Sequence, residues 1–398
     1  MWDVIIIGAG ASGLMCAIEA GKRGRKVLLL DHAKRAGQKI LMSGGGRCNF
    51  TNLYLEPNNY LCDNPHFVKS ALSRYTQWDF IALVDKHKIN WHEREHGQLF
   101  CDDSAKQIVT MLLDGAKQVG VQLQLQTEII AHSQSADHLF TLQTKQGSMQ
   151  CHSLVIATGG LSLPKMGATP FAYKVAEQYQ LPVKPTRAGL VPFTLQQKDK
   201  FAALSGISLP ATASCEVKVG KKSKQISFSE ALLFTHRGLS GPVILQISNY
   251  WQPGEKVSLD LLPSLDLLHI LQTQQQTNPE QTLKTLLAKQ LPKRVVECLL
   301  EMAAIENLPL KKYHEKQLIT ISQLFHQWSP QISGTEGYRT AEVTLGGVDT
   351  DFVSSKTFEC KTTKGLYFVG EALDVTGWLG GFNFQWAWAS GWAAGQEV

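Results

Sequence analysis

None of the eight cysteines lies in a C-x-x-C pair. Cys16, Cys48, Cys62, Cys101, Cys151, Cys215, Cys298 and Cys360 are scattered along the chain, which supports neither a redox dithiol nor a zinc site and suits a reducing compartment. Long apolar runs are missing as well. No stretch approaches the roughly 18–20 residues that span a bilayer. The run Val4–Ile7, preceded by Asp3, is too short for the apolar core of a secretion signal. The expectation is a cytoplasmic protein with no membrane partner and no bound metal. There is no internal repeat, and the one Gln-rich patch, 272–276, is short. A net charge of +5 permits a polyanionic partner without demanding one. At 398 residues, two or three domains are expected.

What is present begins with β–α–β patterning over residues 2–31. Trp2–Ile7 is a short, β-branched strand of the kind buried in a parallel sheet. Gly8-Ala9-Gly10-Ala11-Ser12-Gly13 is a G-x-G-x-x-G between that strand and the helix that follows. Its glycines allow a tight turn and close approach to a pyrophosphate, which the helix N-terminus then stabilises. Asp31 ends the next strand, where a carboxylate accepts from a ribose 2′-OH and disfavours a 2′-phosphate. FAD or NAD therefore fits better than NADP.

Three further segments carry chemistry. Gly37–Asn52 holds Gly44-Gly45-Gly46 between Ser43 and Arg47-Cys48-Asn49, a run of backbone N–H donors able to approach a planar polar ligand. Arg47 there could stabilise the charge of a reduced flavin. The apolar strand Leu154–Ala157 ends in Thr158-Gly159-Gly160 beside the dinucleotide, and Ile129 or Ile130 is placed to contact adenine through its backbone. Gly365–Glu371 reads as a buried strand delivering a carboxylate to ribitol hydroxyls. After it, the Gly380-Gly381 turn opens a helix near Phe382-Asn383-Phe384 and offers N–H donors to the flavin.

Between Val191 and about 262 the sequence alternates in β fashion, which suggests a small barrel or sandwich; 263–325 has helical spacing, and strand-like sequence resumes at Ala341. The fold class expected is α/β. A Rossmann-like FAD-binding domain (1–190 and 341–398) is interrupted by a β-barrel-like part (191–262 and 326–340) and a helical insert (263–325).

The motifs GAGASGL, KILMSGGGRCNFTN (39–52), LPKMGATPFAY (163–173), FTHRGLSGP (234–242) and VGEALDVTGWLGGFNFQWA (369–387) together resemble the BaiN/RdsA family of bacterial FAD-dependent oxidoreductases over essentially the whole chain. The resemblance implies a glutathione-reductase-type FAD domain and flavin-mediated reduction of an activated C=C bond. The implied substrates are a uridine of large-subunit ribosomal RNA, giving dihydrouridine, or a small steroid-like enone. A redox-sensing flavin protein without turnover is a third class. In wider FAD proteins the ribitol-binding strand starts from a threonine and ends in Gly-Asp. Here Lys361 and Gly370-Glu371 stand in those places.

The expected cofactor contacts are Gly8, Gly10, Ala11, Ser12, Gly13, Asp31, His32, Gln38, Lys39, Ser43, Gly44, Gly45, Gly46, Arg47, Asn49, Ile129, Ile130, Thr158, Gly159, Gly370, Glu371, Gly380, Gly381, Phe382, Asn383 and Phe384. No second G-x-G-x-x-G is visible, so NAD(P)H is expected as a transient reductant. Cys48 is the candidate proton donor, with Arg47 beside it, and His236 and Arg237 are candidates for holding substrate. Residues 191–340 carry 16 Lys/Arg against 12 Asp/Glu. Clusters at Lys218-Lys221-Lys222-Lys224, Lys289-Lys293-Arg294 and Lys311-Lys312-Lys316 could track phosphates; solvated surfaces account for them equally well.

Overall fold

The computed structural model describes every residue except Gln197 and Lys221. The chain divides into two units, Met1–Ala188 with Glu342–Val398, and Gly189–Ala341.

The first unit is organised by a mainly parallel sheet. Strand β1 (Trp2–Ile7) leads into helix α1 (Ala11–Lys22) and then strand β2 (Val27–Leu30). β1 lies between β2 and strand β3 (Gly147–Ile156), with Ile5 opposite both Leu28 and Leu154. Strand β4 (Leu366–Phe368) pairs in parallel with the end of β3. Val4, Ile5, Ile6 and all of β2 are buried, because strands covered on both faces must be apolar throughout. The sequence pattern sets Leu154–Ala157 apart as a strand of its own, separate from residues 147–153 before it. They are one strand of ten residues, whose first half pairs antiparallel with Phe140–Thr144 while its second half joins β1.

Helix α2 (Phe382–Gly395) closes the unit and runs beside α1. A Cβ on Gly391 would meet the Ser12 carbonyl oxygen at 2.3 Å, and one on Gly395 the Cys16 oxygen at 2.9 Å. Residues four apart on α2 thus meet residues four apart on α1, so the two helices run parallel with both N-termini towards the strands' carboxyl ends. α2 is apolar nearly all round and correspondingly buried. Its indoles find acceptors, Trp386 Nε1 on Gly370 O (3.0 Å) and Trp388 Nε1 on Phe50 O (2.9 Å).

In the second unit, six strands form one sheet in the order Val257–Asp260, Ser208–Val219, Lys222–Phe234, Gly238–Ser240, Phe193–Leu195, Ile332–Thr335. No strand pair closes this sheet among the described residues; a single bridge, Leu259 to Trp328, lies at its outer edge. The alternation over 191–262 hides a four-residue helix, Lys198–Phe201, and the longer Pro242–Ser248, whose Val243, Ile244 and Ile247 are buried. Helices Leu267–Thr277, Leu283–Leu287, Lys293–Met302 and Glu315–His326 share the core of this unit.

Two carboxylates of the first unit hold one lysine, and a third lies against the backbone of one of them. Lys184 Nζ lies 2.9 Å from Asp63 and 3.2 Å from Asp349, while Asp374 accepts the Asp63 N–H at 3.1 Å. Burial pushes the Asp374 carboxyl up to about 6. A carboxyl raised above its unfolded value of about 4 favours the folded state when protonated, and that contribution is lost as pH rises through 6. Asp374→Asn should therefore raise the melting temperature at pH 7, by up to about 3 kcal/mol of stability, and flatten its fall between pH 4 and 7. Thermal unfolding across that range checks this; a lower melting temperature at pH 7 would contradict it.

Candidate functional site

The turn between β1 and α1 separates glycines required by the protein from one that is not. A Cβ on Gly8 would lie 2.4 Å from Ala157 O, and one on Gly13 would lie 1.9 Å from Gly8 O. Gly10 differs. Its backbone is extended (φ −87°, ψ −164°), which any residue adopts, and a Cβ there would meet nothing within 4 Å. Neither conformation nor packing explains the missing side chain, whereas close approach of a ligand does. α1 starts here with no side-chain cap and no acid in its first turn, so its N-terminal N–H groups are offered to an anion. Ala11 and Ser12 open this first turn.

Asp31 is tied to the turn itself. Its Oδ2 accepts from Ala9 N at 2.7 Å and its Oδ1 from Ala33 N at 2.8 Å. Each oxygen keeps a lone pair for a hydroxyl donor. His32 is exposed, with Nδ1 3.7 Å from Asp31. The backbone alongside is that of Gln124, Gln126 and Thr127, bonded to Asp31 and Ala33. The sequence reading placed Ile129 and Ile130 there; Ile129 opens the next strand and the Ile130 side chain is exposed. At the end of β3, Thr158 Oγ1 is buried without a partner. Such a group calls for a bound acceptor or donor. Gly159 beside it adopts φ +71°.

The second and fourth sequence segments are joined by charge. Lys39 Nζ donates to Glu371 Oε2 (2.5 Å) and to Ser162 Oγ (2.8 Å). Glu371 Oε1 accepts from Thr344 N (2.8 Å) and Ser162 Oγ (3.2 Å). The glutamate expected to face ribitol is thus held by three protein donors. Thr344 and Ser162 were missed by sequence reasoning. A buried threonine inside the apolar strand Val343–Val348 was the available signal for the first.

Gly44 and Gly45 are left-handed, as the glycine run suggests, and Gly46 has φ +87°. Gln38 and Ser43 are half-buried, Ser43 Oγ donating to Ile40 O at 2.7 Å. Arg47 is exposed and has no ion pair among the described residues. The Asn49 amide lies against Gln98 and Gly381. Cys48 contradicts its assigned role. Its thiol has no exposed surface, and burial raises its pKa well above the usual thiol range. A proton donor must reach its acceptor, and this one faces only protein.

At the other end, Gly370 N donates to Ser390 Oγ at 3.0 Å. Gly381 (φ +96°) precedes α2, which also lacks a side-chain cap. The Asn383 amide holds the turn, bonding Gly377 N and O. Phe382 O accepts from Tyr60 Oη at 2.9 Å, and Phe384 stacks on Trp388. The Asn383 side chain thus closes the turn, while the first N–H groups of α2 have no side-chain cap. α1 and α2 therefore present two uncapped N-termini at one end of the unit. α2 starts nine residues ahead of Gly391, the residue that meets Ser12, so its N-terminus lies about 13 Å further along the axis.

His236 and Arg237 belong to the second unit. Both are exposed on a turn closed by Thr235 Oγ1, and Arg237 Nη1 lies 3.7 Å from Glu336, which also holds Arg339. No group of three or more metal-ligating side chains occurs among the described residues, and no helix is long and apolar enough to cross a membrane.

A family model, the HI0933-like protein Rossmann domain, matches residues 2–397. The chain is 54% identical over 399 residues to the Escherichia coli (strain K12) protein named ribosomal RNA dihydrouridine synthase, covering 100% of this chain and 98% of that one. It is 51% identical to a Haemophilus influenzae protein of the same name, covering 99% and 98%. A Clostridium scindens protein named 3-dehydro-bile acid delta(4,6)-reductase is 28% identical, again over 99% and 98%. With its uncapped helix N-termini, open Gly10 and orphaned Thr158, the chain belongs to this HI0933-like Rossmann-domain family and is an FAD-dependent oxidoreductase.

Proposed function

We propose that this protein uses NAD(P)H to reduce the C5–C6 double bond of a uridine in large-subunit ribosomal RNA, giving dihydrouridine. The observation that carries the reading is 54% identity, across the full chain, to a protein named for that activity. The balance is uridine + NAD(P)H + H⁺ → dihydrouridine + NAD(P)⁺. The bile-acid reductase at 28% identity supports the same chemistry, since both names imply reduction at a C=C bond conjugated to a carbonyl. Its lower identity makes the small enone the second reading.

Bound FAD would supply hydride transfer from the nicotinamide to the β-carbon of the conjugated system. The chain's own part is to hold and orient it. Gly10 and the α1 N-terminus would take the pyrophosphate, and Asp31 the adenosine ribose through its remaining lone pairs. Thr158 Oγ1 would gain the partner it lacks. Lys39 and Glu371 would fix the ribitol side, and Gly380-Gly381 with the α2 N-terminus would receive the flavin's carbonyl edge. His236 and Arg237 are the second unit's candidates for substrate contact. The reaction belongs in the cytoplasm, where ribosomal RNA is modified.

The deciding measurement is the nucleoside content of large-subunit ribosomal RNA from cells with and without the protein. Dihydrouridine should disappear on deletion and return on complementation; unchanged content would sink the RNA reading. Gly10→Ala should fold with an apo melting temperature close to that of wild type, because a Cβ there meets no protein atom within 4 Å, yet lose bound flavin. Retention of stoichiometric flavin, read from the visible spectrum, would overturn the pyrophosphate assignment. Cys48→Ser should keep kcat within about twofold, whereas loss of a general acid costs about 10²–10⁴. A drop of that size would restore Cys48 as the donor.

A further inference from the structure

Of the three basic clusters in the second unit, two are partly engaged. Arg294 Nη1 donates to Ala203 O at 2.9 Å, and Lys311 is paired with Glu280. The third is different. Lys218, Lys222 and Lys224 are exposed, and none of their side chains holds an ion pair or hydrogen bond among the described residues. Lys221, between them in sequence, lies outside those residues.

These lysines sit at the end of a long hairpin, Ser208–Val219 against Lys222–Phe234. Its base is built into the sheet. Val257–Asp260 flanks Thr212–Cys215, and Gly238–Ser240 flanks Leu233–Phe234. Helix Pro242–Ser248 packs at the same level, Gln246 Nε2 reaching Glu230 at 3.2 Å. Beyond Cys215 neither edge has a third strand among the described residues. From Glu216 the two strands continue as a free ribbon for about 13 Å at ~3.3 Å per residue. Burial falls away along it, Leu232 and Phe234 being buried at the base while 222–225 are all exposed.

Register places the charges on both faces. Lys224 is opposite Val217 and Lys222 opposite Val219, whereas Lys218, opposite Ser223, shares the other face with Glu216. The ribbon therefore presents three free ammoniums against one carboxylate. A two-stranded ribbon with cations on both faces is shaped to lie along a groove with phosphates on either side. An exposed edge also carries lysines simply to prevent strand pairing between molecules, and the test must separate the two.

We infer that the paired strand ends 216–219 and 222–225 form an RNA-docking arm, their Lys218, Lys222 and Lys224 contacting backbone phosphates of the ribosomal RNA substrate. The inference rests on the RNA reading of the previous subsection. Contacts of this kind recognise A-form shape and charge and do not select sequence.

The probe is protein-free large-subunit ribosomal RNA from cells lacking the protein, used with the full-length flavoprotein. The Lys218→Gln/Lys222→Gln/Lys224→Gln variant should keep stoichiometric flavin and the wild-type thermal unfolding curve, which together certify the fold of both units. Its RNA affinity at 0.1 M salt should fall about tenfold or more, and the slope of log K against log salt should become shallower by about two to three, near one per lysine lost. Dihydrouridine formation should show a raised KM for RNA at unchanged kcat. The Lys→Arg triple variant should behave as wild type. Unchanged affinity and slope in the glutamine variant would overturn the arm while leaving the enzyme's function standing. Self-association with RNA affinity intact would do so too, marking the lysines as edge guards. If wild type neither binds nor modifies this RNA, the function itself fails and the arm with it.

Discussion

The first unit depends on backbone meeting backbone at the head of β1. Gly8 abuts Ala157 and Gly13 abuts Gly8 at distances that leave no room for a single methyl group. This contact lets β1 and β3 end side by side while α1 turns back immediately. It thereby aims a helix N-terminus at the crevice beyond the strand ends, where ligands of open α/β sheets bind. The Asp31 carboxylate reinforces it from β2 by accepting the Ala9 N–H inside the turn. A residue expected to serve a ligand is therefore also part of the turn's own architecture.

The same principle repeats one layer out. Gly391 and Gly395 let α2 lie directly on α1, and Gly370 lies against Ser12. Held in parallel, the two helices turn their positive ends toward the same end of the unit, each of which favours a negative or carbonyl-bearing group beyond it. The absence of any side-chain cap on either helix fits that demand. Lys39, on the short helix Gln38–Met42 that follows β2, and Glu371 then tie that helix to the strand end before α2. Since Glu371 also receives Thr344 N and Ser162 Oγ, the link is a charge-assisted network rather than a lone surface ion pair.

What could be read from the sequence was local. The strand–Gly-x-Gly-x-x-Gly–helix signature, Asp31 at the next strand end and the glycine pair before α2 each occupy a few consecutive residues whose backbone demands are strong. The change of period near Val191 is a local signal of the same kind. What could not be read was assembled from a distance. Lys39, Ser162, Thr344 and Glu371 come from four separate segments, and no period or spacing connects them. Cys48 illustrates the converse. Its position after three glycines made it look accessible, but the chain turns there with φ +53° and drives the thiol inward against the core. Helix Pro242–Ser248 was hidden because its seven residues are too few to break a β-like alternation.

The distribution of charge gives the two units different tasks. In the first, the two carboxylates at the proposed FAD site are held internally: Asp31 by backbone, Glu371 by lysine, serine and amide. Desolvation there favours groups already partnered, because an unpaired ion in such a place would titrate or unfold its surroundings. In the second, the ribbon lysines remain unpartnered in water, where a charge costs little to keep and is available for long-range attraction. A tightly held cofactor needs the first condition, since its site must persist between turnovers. A large polyanionic substrate that must leave after each turnover needs the second. The chain keeps these conditions in separate units, as expected of an enzyme that retains one ligand and releases another.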